Sequence, residues 1–117
     1  MEQNISNLIK IIKKYAKLNG FKEYFKDLCK ITFYFKNDIN KQTILDILED
    51  RIPLHLALED EKLIDLINNI KKYQDFNMWP THIINLVLIL KDIFKDVKNF
   101  EDVYYSLIEL LEKLLIF

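Results

Sequence analysis

The chain has 117 residues, 50% of them hydrophobic and 30% charged, with a formal net charge of −1. That profile describes one globular domain large enough to bury a core without disulfide or metal staples, and it excludes a disordered chain. One glycine, Gly20, and two prolines, Pro53 and Pro80, leave little turn chemistry for a sheet protein, so long helices are expected.

The apolar residues Ile5, Leu8, Ile9, Ile12, Tyr15 and Ala16 recur at helical spacing and predict a first helix from about Ser6 to Leu18. Lys10, Lys13, Lys14 and Lys17 fall on its opposite face. Gly20 is expected to close it in a left-handed conformation. A second helix opens near Phe21, with Phe21, Tyr24, Phe25, Leu28, Ile31, Thr32 and Phe35 on one face. Its segment 30–36 is aromatic and β-branched and also fits a strand. Helix is the preferred reading, because no second convincing strand exists to pair with it.

Asn37, Asp38 and Asn40 form a polar break rich in helix-capping residues. A short helix is expected from about Lys41 to Asp50, burying Ile44, Leu45 and Leu48, and Pro53 ends that stretch. Leu54, Leu56 and Leu58 then read as an apolar connector. A fourth helix spans about Asp60 to Tyr73 and turns Leu63, Leu66, Ile67 and Ile70 inward. Glu61 and Asp65 point away from that face. After a break over 74–80, a fifth helix from about Thr81 to Val97 is apolar almost all round in its first half, the pattern of a central helix. The last helix is capped by Asn99 and has Glu101 and Asp102 in its first turn, where the helix dipole favours acids. Val103, Tyr104, Leu107, Ile108, Leu110, Leu111, Leu114 and Leu115 form its apolar stripe. The fold expected is an all-α, compact antiparallel bundle of five or six helices, a single domain over 1–117.

Little in this chain carries chemistry. There is no glycine-rich phosphate loop, and no cofactor is expected. His55 and His82 lie outside any metal-binding spacing, so no metal site is expected. Cys29, the only cysteine, makes no internal disulfide and suits a reducing, cytoplasmic compartment. Its place beside the apolar face of the second helix is that of a packing residue. No catalytic constellation emerges: Arg51 and His55 resemble the Arg-and-His pair of helical ribonucleases, but Pro53 breaks any shared helix between them. The N-terminal residues lack a signal-peptide pattern, and no apolar run approaches the roughly 20 residues that span a bilayer.

Charge is the more informative signal. Residues 1–37 carry eight lysines against three acids, net +5, and residues 38–70 carry eight acids against three bases, net −5. On the last helix Tyr105 projects away from the leucine stripe, with Glu101, Asp102, Glu109 and Glu112 around it. An outward aromatic with a polar rim has the form of a binding hot spot. The expected partner-binding residues are therefore Glu61, Asp65, Asp102, Tyr105, Glu109 and Glu112, and the expected partner is a basic protein. The function these features suit is that of a non-catalytic immunity or antitoxin-type protein occluding a nuclease-like toxin. Two alternatives stand beside it. One is a nucleic-acid-binding regulator that uses the lysines of the first helix, a reading weakened by the single arginine. The other is a small helical host-targeting interaction domain. The sequence carries no indication of oligomeric state.

Overall fold

In a computed structural model the described residues are 2–49, 51, 61–72 and 81–115. They form six α-helices and no strand: α1 (Glu2–Tyr15), α2 (Phe21–Tyr34), α3 (Lys41–Leu48), α4 (Glu61–Lys71), α5 (Thr81–Phe94) and α6 (Phe100–Leu115). The all-α expectation is met. The apolar connector with Leu54, Leu56 and Leu58, and with it Pro53, His55 and Pro80, lies outside the described residues. The radius of gyration is 13.5 Å, against about 13 Å for one folded domain of this size.

Local chemistry explains most of the boundaries. Helix α1 begins four residues before the expected start at Ser6 and stops at Tyr15 rather than Leu18. Leu18 is left 41% exposed in the turn that follows. Gly20 is left-handed as expected, with φ 84°, but it sits at the N-cap of α2 instead of closing α1. Its carbonyl accepts from the Tyr24 amide at 3.0 Å, which starts α2 directly. The ambiguous 30–36 segment continues α2 to Tyr34. Thr32, fully buried there, donates its hydroxyl to the Leu28 carbonyl at 2.7 Å, so a β-branched polar residue is satisfied inside a helix. Asn40 caps α3, its side-chain oxygen accepting from the Thr43 amide at 2.9 Å, a contact worth about 1 kcal/mol.

The helices that pack most closely are not neighbours in sequence. Helix α2 packs on α4, α5 and α6, while α5 packs on α1, α2 and α3. The two cross at the centre of the core, where Tyr24, Phe25, Leu28, Leu86, Leu90 and Phe94 are buried. Helices α1 and α5 run antiparallel. Tyr15 at the end of α1 meets the ring of His82 at the start of α5, centroids 5.5 Å apart, and Asn4 shares a groove with Ile93 and Asp96 at the other end.

The central position of α5 is confirmed, but it is not enclosed on every side. Ile83, Leu86, Val87, Leu90, Ile93 and Phe94 are buried, whereas Leu88 and Ile89 are half-buried and Asn85 and Asp92 are exposed. Three helices cover three sides of α5, and the fourth opens onto solvent beside α1.

Candidate functional site

The residues expected to bind a partner separate into two groups. Four are on α6. Exposed positions 101, 102, 105, 106, 109, 112 and 113 form one outward stripe of that helix, because positions three and four apart share a face. The inward stripe is Leu107, Ile108 and Leu111, all buried. Anchored this way, α6 holds Tyr105 at 65% exposure, above every other large hydrophobic residue described.

Tyr105 is the outer end of an aromatic ladder. Phe94, fully buried on α5, meets Phe100 edge-on at 5.5 Å. Phe100 stacks on Phe33 of α2 at 4.5 Å and leans on Tyr104 at 5.3 Å. Tyr104 meets Tyr105 edge-on at 5.4 Å. Each such pair contributes about 0.5–1.5 kcal/mol beyond its buried area. The exposed ring therefore stands on a rigid support and needs little ordering when it is covered, which is what an interface anchor requires.

The acids around it differ in their surroundings. Asp102 accepts from the Asn99 side-chain amide at 3.1 Å, and its carbonyl accepts from the Ser106 hydroxyl at 3.0 Å. Glu112 pairs with Lys22 of α2 at 2.9 Å. That hydrogen bond, and then the lysine's charge, hold its carboxyl below the ordinary glutamate value. Glu101 and Glu109 are exposed and have no ion pair among the described residues.

The α2 lysines border this stripe, and composition alone did not single them out. Lys22, Lys26 and Lys30 lie at successive four-residue steps, so they line one edge of α2. Lys22 pairs with Glu112, Lys26 adds its field to the same carboxylate, and Lys30 stands 5.8 Å from the Tyr104 ring centroid. Their spacing in the sequence was the available signal. Asp27, half-buried on α2, comes within reach of Asn69 of α4, and its charge also acts on Tyr104 of α6. Glu23, Lys30 and Tyr34 are exposed on α2.

Glu61 and Asp65 are exposed one turn apart on α4, with Ile64 between them at 36% exposure. Helices α4 and α6 each pack on α2. The predicted set is thus divided between two helices, α4 and α6.

Other candidate chemistry is sparse. Cys29 is fully buried, and burial pushes its thiol well above the ordinary range, away from the reactive thiolate. Among the described residues, no three of His, Cys, Asp and Glu cluster as metal ligands, and no helix is long and apolar enough to cross a membrane. His55 lies outside the described residues. Lys10, Lys13 and Lys14 are exposed on α1, and Lys17 is exposed in the turn that follows it. No protein-family model matches the chain, and no curated protein or solved structure is significantly similar to it.

Proposed function

We propose that this chain is a non-catalytic, cytoplasmic binding protein of the immunity or antitoxin type, which neutralises a basic, nuclease-like toxin by covering its cationic substrate site. The observation that carries the reading is Tyr105, 65% exposed at the end of a packed aromatic ladder, with the unpaired acids Glu101 and Glu109 one turn to either side. Acidic groups accelerate encounter with a cationic protein, and a supported aromatic slows its departure. The acids of α4 supply a second patch for the same partner. The alternative, a nucleic-acid regulator, rests on exposed Lys10, Lys13 and Lys14 of α1 and Lys17 just after it, a row of cations that could meet phosphates but includes no arginine.

The test compares wild type with Tyr105→Ala and with the pair Glu101→Lys and Glu109→Lys as affinity baits in the native host. A basic protein held by wild type and lost by both variants is the expected result. Its dissociation should be at least about 10-fold faster from Tyr105→Ala, the effect of a hot spot worth about 2 kcal/mol. Capture that is indifferent to these positions, or capture of nucleic acid through Lys10 and Lys13, rejects the reading.

A further inference from the structure

The fourth side of α5 forms an open groove with α1, about 410 Å³ in volume. Its floor is apolar: Ile11 from α1, and Leu88 and Ile89 from α5, all half-buried. Its two banks carry opposite charges, with Lys10 on α1 and Asp92 on α5, both exposed. Neither residue has an ion-pair partner among the described residues. Beyond Asp92 a second hollow of about 350 Å³ continues the groove toward the end of α5 and again holds both signs, Lys95 and Asp96.

We infer that this groove is the self-association surface of the protein and that its occupant is the α1–α5 face of a second copy. The charge pattern selects the occupant. With lysine on one bank and aspartate on the other, the groove has no net field to attract a strongly basic or acidic partner. It is instead complementary to itself. A two-fold axis along the groove lays α1 of each copy over α5 of the other, bringing Lys10 opposite the second copy's Asp92 twice over, as an isologous interface demands. Asn7 and Asn85, which also line the groove, each carry both donor and acceptor and so suit either bank of the second copy. Ile11 of each copy then meets Leu88 and Ile89 of the other at the centre, and the two antiparallel helix pairs complete a four-helix arrangement.

Size sets the strength. Helices of 14 residues are about 21 Å long and two side by side are about 20 Å wide, so each copy covers on the order of 400 Å². The roughly 800 Å² that the two copies cover together is in the range of weak, transient contacts, so the dimer is a reversible one. The surface is distinct from the α6 stripe, so this inference stands whether or not Tyr105 binds a toxin.

The experiment is sedimentation of the full chain over roughly 1–500 μM, repeated with Lys10→Asp, Asp92→Lys and the double exchange. Wild type should dimerise with concentration. Each single reversal sets like charges against each other at both symmetry-related contacts and should weaken the dimer at least about 10-fold, and the double exchange should restore it to within about threefold of wild type. Both positions are exposed, and circular dichroism verifies that each variant keeps its helices. A wild-type chain that stays monomeric throughout overturns the inference. So does a dimer indifferent to the reversals, or one that the double exchange fails to restore.

Discussion

The Lys91 ammonium on α5 donates a hydrogen bond of 2.7 Å to the backbone carbonyl of Ile39, in the turn between α2 and α3. The link is returned from the other side. Lys36, in that same turn, donates to the carbonyl of Val97 just beyond α5, at 2.8 Å, with its ammonium 4.6 Å from the Phe33 ring centroid. Both bonds are partly buried, and both satisfy carbonyls that no helix ladder reaches. Lysines near the end of a helix also complement its dipole. The pair fixes the α2–α3 turn against the end of α5. Lys91→Met keeps the aliphatic stem and removes the donor, so it should cost about 1–2 kcal/mol in urea unfolding, within the range for a hydrogen bond to a charged group. A loss below about 0.3 kcal/mol would mean water replaces the lysine at no cost.

Leu90 is fully buried at the crossing of α5 with α2. Leu90→Ala should cost about 2–5 kcal/mol, the transfer energy of the lost methyls plus the cavity they leave. Asn85, exposed on the same helix, gives the control: Asn85→Ala should stay within about 0.5 kcal/mol of wild type. Equal effects at the two positions would place α5 at the periphery.

Helical periodicity made the six helices legible, because each has one apolar face and the core is built from those faces. Boundaries were less so. Glu2, Gln3 and Asn4 have no apolar residue to register in a periodic pattern, yet they extend α1. Conversely, Val97 fits the apolar period of α5, but the chain has already turned, its amide reaching the Phe94 carbonyl at 3.0 Å. The candidate site was half legible. Tyr105 and the α6 acids follow from spacing within one helix. The pairing of Lys22 with Glu112, and of Lys36 with the Val97 carbonyl 61 residues away, depends on which helices meet. A single sequence does not reveal that, and the opening of α5 beside α1 was hidden for the same reason.

Asp27 gives the protein a pH dependence of definite sign. Burial raises its carboxyl above the ordinary aspartate value, while Lys30 and the Asn69 hydrogen bond pull the other way. The folded state thus holds this proton more readily than the unfolded chain. Stability from this group is greatest below the unfolded value, about 3.9, and is lost as pH rises through the raised folded value. Asp27→Asn keeps an acceptor for Asn69 and removes the buried charge. It should raise the melting temperature at pH 7, and the gain should shrink toward zero as pH falls below the ordinary carboxylate range. Glu112 has the opposite sign: its carboxyl is lowered by Lys22, so its stabilisation is present at neutral pH and lost in acid. A gain from Asp27→Asn that persists undiminished in acid would show that charge burial is not its cause.

The lysine edge of α2 predicts how the α6 face can be strengthened. In the free protein Lys22 occupies Glu112 at 2.9 Å, so part of the acidic stripe is already neutralised. Lys22→Met removes that cation and leaves the stem. Two consequences follow, one of which needs no partner. The Glu112 carboxyl should rise toward its ordinary value, because the hydrogen bond and the charge that lower it are gone; side-chain carboxyl NMR titration reads this directly. With the basic partner of the proposed function, association should become several-fold faster at low salt, with the difference fading as ionic strength screens the field. Glu109→Gln, which removes an unpaired acid from the same stripe, should slow association under the same conditions. Dissociation should change little in either variant, since neither touches the Tyr105 anchor. If Lys22→Met restores the Glu112 titration and yet leaves association with the partner unchanged, α6 is not the surface that steers encounter, and the partner is drawn instead to the acidic patch of Glu61 and Asp65 on α4.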